Sequence, residues 1–327
     1  MTATPRVFIL HENTDWLPPF RAALDAEGVP FEEILLTSGT IDLDAAPGPG
    51  VYWSRLSASA HTRDHALAKE YARSLLGWLE ASGRRVVNGA RVVELEVSKT
   101  RQYAALRAAG FDIPRTVAVI GTTELIARAR DFPVPFITKH NQGGKGLGVR
   151  RFDSYSTFDE YVASDRFEEP ADGITLLQEY LVAAEPFVTR AEFVGGKFVY
   201  AVRVDISTGS FELCPADACV IDPGTGLEIP AFSPREGLAD DPLIAHYEAF
   251  LADNVIEIAG IEFMETVDGR RVTYDVNTNT NYNAGVEAVV ERPAAREVAR
   301  FLAGLLESSQ RHQLPAGRAP ELRTLLS

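Results

Sequence analysis

Cysteine is scarce in this sequence: two residues in 327, Cys214 and Cys219, five positions apart with no matching pair elsewhere. That count speaks against a disulfide framework and a structural zinc site, and reads as two reduced thiols. Long apolar runs are missing too. None reaches the ~18 residues that a membrane-crossing helix needs, and Met1 to Leu10 holds one short apolar stretch rather than the core of a signal peptide. Basic charge is in deficit, with 32 Lys and Arg against 46 Asp and Glu and a formal net charge of −14. Such acidity opposes binding to nucleic acid or an anionic membrane, yet leaves room for a local basic pocket. No Gly-Lys-Ser/Thr opens a helix, which excludes a Walker A loop. No Ser/His/Asp or Cys/His arrangement for nucleophilic catalysis stands out. Internal repeats and low-complexity segments are also absent. The expected setting is soluble, reducing and cytoplasmic.

Hydrophobic content of 46% and charged content of 24% are ordinary for a globular protein, and the length fits about two domains of ~150 residues. The first third alternates strands with helices. Strands are expected at 6–10, 31–36, 51–53 and 85–87, with helices over 16–27, ended by Gly28, and over 61–82, ended by Gly83. That alternation predicts an open parallel sheet with helices on both faces. A helix over 98–109, stopped by Gly110, leads to a strand at 117–120. Beyond Lys139 short strands with tight turns dominate, at 134–139, 148–152, 174–179, 187–194 and 197–204, with helices at 155–163 and 240–259. The fold class is therefore α/β followed by α+β: a parallel domain over 1–97, a lobe over 98–182, a second lobe over 183–310, and a Pro/Arg/Leu-rich tail over 311–327 with a short helix near its end.

The chemistry concentrates in four places. Glu262 is followed thirteen positions later by Asp275 and then Asn277, on two strands joined by a turn at Asp268-Gly269. Side chains alternate along a strand, so these three share a face and form a hard-oxygen cluster that suits Mg²⁺. Lys139 precedes the glycine loop Gly143, Gly144, Lys145, Gly146 and Gly148, whose backbone N–H groups can approach phosphate oxygens closely. The segment Gln178, Glu179, Tyr180 and Leu181 ends a strand and can offer backbone groups and an apolar slot to an adenine. Arg190 and Arg203 lie on strands joined by Gly195-Gly196, where cross-strand arginines can neutralise a transferring phosphoryl group. Each feature alone has a plain structural alternative: a flexible turn, a core strand, a solvated arginine.

Taken in order, Lys99, Lys139 with its glycine loop, Gln178 to Leu181, Arg190, Arg203 and Glu262 with Asp275 and Asn277 resemble the ATP-grasp superfamily. The branch most similar is the RimK-like one of ribosomal-protein glutamate ligases, with glutathione synthetase and D-alanine–D-alanine ligase further off; the likeness runs over roughly residues 5–305. The resemblance implies a pre-ATP-grasp domain and two lobes that sandwich ATP. It assigns Lys99, Lys139 and the glycine loop to the nucleotide phosphates and purine, and Gln178 to Leu181 to the adenine. It assigns Glu262, Asp275 and Asn277 to Mg²⁺ or Mn²⁺, and Arg190 and Arg203 to the acylphosphate. The implied reaction joins a small-molecule carboxylate to an amine through an acylphosphate, and relatives of this kind assemble as dimers or tetramers. Three departures mark the substrate end. No Asp precedes Arg190 for the ribose, and Glu185 is the nearby acid that can replace it. Glu212-Leu213-Cys214-Pro215 stands where the branch carries Arg-Ser-Asn. Asn279, Asn281 and Asn283 replace a small-residue, Pro-Gly ending, and are expected to touch the substrate. A small-molecule kinase and a nucleotide-binding module without catalysis fit the same scaffold.

Overall fold

Arg6–His11 (β1) is buried from Val7 onward, as befits a strand covered on both faces. It pairs in parallel with Phe31–Leu35 (β2) and with Gly50–Arg55 (β3), and β3 pairs in parallel with Arg85–Val87 (β4). The order β2-β1-β3-β4 is the open parallel sheet that the alternation predicts. One face packs on helices Pro18–Ala26 (α1) and, later in the chain, the C-terminal helix, around Ile9, Trp53, Phe20 and Leu302. The other packs on Ala68–Ala81 (α2) and Ala90–Glu96 (α3), around Leu10, Tyr52, Leu76 and Val93. Each such large apolar side chain contributes about 2 kcal/mol by leaving water. The expected helix over 61–82 is split: a 3-10 turn covers Ala60–Arg63, and Asp64, left-handed at φ 62°, separates it from α2. The computed structural model describes residues 4–144, 146, 148–207, 219–221 and 228–312. The expectations for Lys145, Cys214, the Cys219 thiol, the 212–215 segment and the tail helix lie outside the described residues.

Lys99–Ala108 (α4) is N-capped by Ser98, which accepts from the Arg101 N–H. After it comes a four-stranded antiparallel sheet in the order β5-β8-β6-β7, from Thr116–Ile120 (β5), Phe136–His140 (β6), Arg150–Phe152 (β7) and Ile174–Glu179 (β8). Leu125–Ala129 (α5) and Tyr155–Val162 (α6) cover one face through Phe136, Phe152, Phe158 and Leu177.

A five-stranded antiparallel sheet follows, built on the hairpin of Phe187–Val194 (β9) and Lys197–Asp205 (β10). Cys219–Ile221 (β11) and Glu228–Pro230 (β12) pair separately, and Phe232–Arg235 (β13) joins β10. Ile258–Glu265 (β14) and Arg271–Asn277 (β15) complete the order β13-β10-β9-β14-β15. Pro242–Asn254 (α7) covers the face carrying Phe193, Ile261 and Phe263. It is shorter than the expected 240–259 because left-handed Val255 (φ 57°) ends it and β14 begins at Ile258. A short helix, Ala284–Glu287 (α8), precedes Ala294–His312 (α9), which lies against β1, β3 and β9 and so joins the parallel sheet to the large one. No described helix is long and apolar enough to cross a membrane.

Candidate functional site

The β14–β15 hairpin places its acids without help from distant chain. Glu262 and Asp275 are register partners, and Asn277, two residues on, opposes Gly260 on the same face. All three line a cleft of about 250 Å³, which the glycine loop and the end of β8 face from the other side. Two carboxylates and an amide oxygen on one wall are hard donors that fit Mg²⁺. Among the described residues no three His, Cys, Asp or Glu side chains gather, so a divalent cation here would draw on amide or substrate oxygens as well.

The wall is held from behind by α3 and α4. Gln102 donates to the Val276 carbonyl at 2.8 Å and accepts from the Val276 N–H at 2.9 Å, and the Tyr103 hydroxyl donates to the Tyr274 carbonyl at 3.0 Å. Glu96 accepts from both the N–H and the hydroxyl of Thr278 at 2.8 Å, and burial raises its carboxyl above the ordinary range. Lys99, at the first turn of α4, is ion-paired with Asp275. Burial works against both charges. For Lys99 the Asp275 carboxylate outweighs it and the ammonium titrates above its usual value; for Asp275 the lysines Lys99 and Lys139 outweigh it and the carboxyl titrates below.

Arg190 is buried on β9 and spends its guanidinium locally. It donates to Glu192 at 2.6 Å, to Glu262 at 2.8 Å and to the Thr280 hydroxyl at 2.5 Å. The two carboxylates more than offset its burial and raise its already high pKa. Gly260 makes room for this cluster: a Cβ there would stand 2.7 Å from the guanidinium and 2.8 Å from Glu192. Gly260→Ala is expected to cost about 1–3 kcal/mol of stability in chemical denaturation.

Across the cleft, Lys139 on β6 donates to the Tyr103 hydroxyl at 3.1 Å. Gly143, Gly144 and Gly146 line the opening; Gly148, left-handed at φ 74°, lies just outside, where a Cβ would meet the His140 ring at 3.1 Å. Gln178, Glu179, Tyr180 and Leu181 all line it. Gln178 is tied to the Tyr103 and Thr116 hydroxyls at 3.0 Å, Glu179 to Arg270 at 3.2 and 3.3 Å, and Tyr180 lies under Arg151 at 4.4 Å. Leu181, Ile137 and Met264 supply the apolar walls.

No family model matches the chain. A probable alpha-L-glutamate ligase of Xanthomonas euvesicatoria pv. vesicatoria (strain 85-10) is 30% identical over 154 residues, 45% of this chain and 49% of that protein, so the match spans about half the length of the curated relative. The RimK domain protein ATP-grasp from Sphaerobacter thermophilus DSM 20745 superposes with a TM-score of 0.66 at 17% identity, over 90% of this chain and 98% of its own. The ATP-grasp ligase PsnB, solved with minimal precursor, Mg and ADP, gives 0.64 at 16% identity over 94% and 100%. The fold is ATP-grasp.

Within this ATP-grasp fold three expected residues besides Gly148 lie outside the cleft lining. Arg203 opposes Thr189 while Arg190 opposes Val202, so the two arginines point to opposite faces of the sheet. The Arg203 guanidinium sits 4.8 Å over the Phe187 ring, outside the cleft lining; it is one position out of register with the expected role. Glu185 is exposed and also outside the lining. Asn283 caps α8, accepting from Gly285 and Val286 N–H groups at 3.0 and 3.1 Å, and does not line the cleft. Asn281 lines it but accepts from Arg55 at 2.7 Å, and Asn279 lines it with a buried Oδ1 that has no hydrogen-bond partner.

The segments after β1 and β3, with α3, supply a wall of the ATP-grasp cleft that pattern reading missed, and Arg55 and Glu12 support it from outside the lining. Arg55, only 2% exposed at the end of β3, donates to the Thr280 carbonyl at 2.9 Å and packs 4.1 Å over Phe20. Burial lowers it to about 9, still cationic at neutral pH. Glu12, after β1, is gripped by Arg63 at 2.6 Å and His65 at 2.9 Å, and Arg63 donates on to Ser59 at 3.1 Å. Trp16, Ser57, Ser59 and Glu96 line the cleft on this side. Only His11-Glu12-Asn13 carried a sequence signal, as the loop ending the first strand.

Proposed function

We propose that this chain is an ATP- and Mg²⁺-dependent carboxylate–amine ligase acting on an amino acid, short peptide or small metabolite. The observation that carries this reading is the wall of Glu262, Asp275 and Asn277 facing Lys139 and the glycine loop across one cleft of an ATP-grasp fold. The PsnB neighbour holding Mg and ADP supports it. Glu262, Asp275 and Asn277 would hold Mg²⁺, which when bound supplies charge neutralisation at the phosphates. Lys139, which forms no ion pair among the described residues, meets the triphosphate, and Gly143, Gly144, Gly146 and Gly148 close over it. Leu181, Ile137 and Met264 receive the purine.

A substrate carboxylate oxygen attacks the γ-phosphorus, the bond to the β-phosphate oxygen breaks, and ADP leaves an acylphosphate. The amine lone pair then attacks the acyl carbon, the C–O bond to phosphate breaks, and phosphate departs as the nitrogen loses a proton. The closed cleft keeps water from the acylphosphate. Arg190 serves this chemistry by fixing Glu262. Small-molecule partners fit the net charge of −14 and the absence of basic tracts, and a cytoplasmic, homo-oligomeric enzyme is part of the same proposal.

The test is ADP release with Mg²⁺ over the twenty L-amino acids offered pairwise as acid and amine, with mass analysis of products. Amide product with ADP supports the reading. Turnover indifferent to every acid and amine counts against it, and a phosphorylated product accumulating without amine replaces it with a kinase. Lys139→Ala is expected to raise the ATP concentration at half-maximal rate by about tenfold or more; an unchanged ATP titration contradicts its role.

A further inference from the structure

We infer that Asn279 is the docking point for the incoming amine, so that the cleft end bounded by Asn279, Ser57, Ser59 and Glu96 is a primary-amine subsite. This rests on the ligase reading and deepens it. Asn279 lines the cleft, and its amide oxygen is buried with no hydrogen-bond partner, a condition that native proteins rarely leave unanswered. A carbonyl oxygen can only accept, so an N–H or O–H donor completes it, and an amine docked in the cleft supplies one.

Asn279 follows Asn277 by two residues on the chain leaving β15, beyond the metal wall and toward the parallel sheet. A nucleophile docked there stands next to the place where the acylphosphate forms. Charge on this side also selects. Arg55 is spent on Thr280 and Asn281, and Arg190 on Glu192, Glu262 and Thr280. Glu262 and Asp275 are already paired with Arg190 and Lys99, whereas Glu96 lines this end without an ion pair among the described residues and favours a cationic newcomer. An amine arriving as ammonium is drawn in and gives one N–H to Asn279 Oδ1. After losing a proton to solvent, it turns its lone pair toward the acyl carbon. The carboxamide orients the nitrogen and takes no proton. Asn279 is thus distinct from its neighbours: Asn281 is held by Arg55 and Asn283 by α8.

The experiment uses the full chain and the acid–amine pair giving the fastest ADP release among the twenty L-amino acids. For Asn279→Ala the amine KM is expected to rise tenfold or more while the ATP KM and the Mg²⁺ requirement stay within twofold. Hydroxylamine at high concentration, which reaches an acylphosphate without docking, should trap hydroxamate at close to the parental rate. Asn279→Asp keeps an acceptor but stabilises ammonium, so its rate should recover as pH is raised, and it serves as the folded control. An unchanged amine KM overturns the assignment. A raised Mg²⁺ requirement with unchanged amine KM places the oxygen on the metal and likewise overturns it. Loss of hydroxamate trapping in step with amide formation makes the role structural. A parent protein that releases no ADP with any pair removes the ligase reading itself, and the subsite with it.

Discussion

Asp275→Asn is expected to lower ADP release by about 10³-fold or more and to destabilise the protein by about 3–5 kcal/mol; adding Lys99→Met should restore most of the stability and none of the activity. The stability part follows from burial. The Lys99 and Asp275 side chains are 7% and 18% exposed, so removing one charge leaves the other with little water to solvate it. Replacing both with neutral groups of similar size removes that cost, because desolvating an ion pair consumes much of its Coulomb gain. Activity behaves differently, since a metal ligand is needed for its oxygen and not for its partner. Chemical denaturation and ATP turnover of the parent, both single variants and the double variant complete the cycle. If the double variant turned over as well as Lys99→Met alone, Asp275 would be only a counter-ion and the metal assignment would fall. The coupling is expected to be flat between about pH 5 and pH 9. The raised Lys99 loses its contribution only as pH climbs past the ordinary lysine value. The depressed Asp275 loses its own only as pH falls below the ordinary aspartate value.

Local geometry was legible in the sequence and long-range geometry was not. The pairing of Glu262 with Asp275 was expected from the tight turn at Gly269 and strand alternation, and it holds because the register shifts between Phe263 and Glu262: Phe263 opposes Thr273, and Asp275 rather than Tyr274 then opposes Glu262. The same logic failed for Arg190 and Arg203 by one residue, and in a sheet one residue reverses the face. The break at Asp64 was invisible because nothing in its neighbours forces a left-handed backbone. Asn283 did carry a signal, since an asparagine before a short helical run is a cap, but the run of alternating asparagines drew attention to substrate instead. Arg55 could not be foreseen: its partners Thr280 and Asn281 lie 225 and 226 residues away, and an arginine ending a parallel strand is otherwise unremarkable. Glu96 is similar, reaching Thr278 across 182 residues.

Arg190→Met should destabilise the protein by about 3–5 kcal/mol near neutral pH, and by clearly less near pH 5. The reason is that Arg190 is the shared counter-charge of two carboxylates, Glu192 at 2.6 Å and Glu262 at 2.8 Å, one of them almost wholly buried. Burial already raises Glu192 above the ordinary carboxyl range, with Arg190 pulling it back. Below the ordinary value, folded and unfolded chains are both protonated and the group costs nothing. As pH rises from the ordinary value toward the raised folded value, the unfolded chain releases a proton to water that the folded chain keeps, and stability falls until the folded group ionises as well. Without Arg190 the folded value climbs further, so the gap between variant and parent widens toward neutrality; adding Glu192→Gln should close most of it. Activity separates two roles for the arginine. If it positions Glu262, the variant should need about 10–100-fold more Mg²⁺ and approach parental turnover when Mg²⁺ saturates. If it touches the phosphoryl group itself, kcat should fall at every Mg²⁺ concentration. The three hydrogen bonds that occupy its guanidinium, to Glu192, Glu262 and Thr280, favour the first outcome.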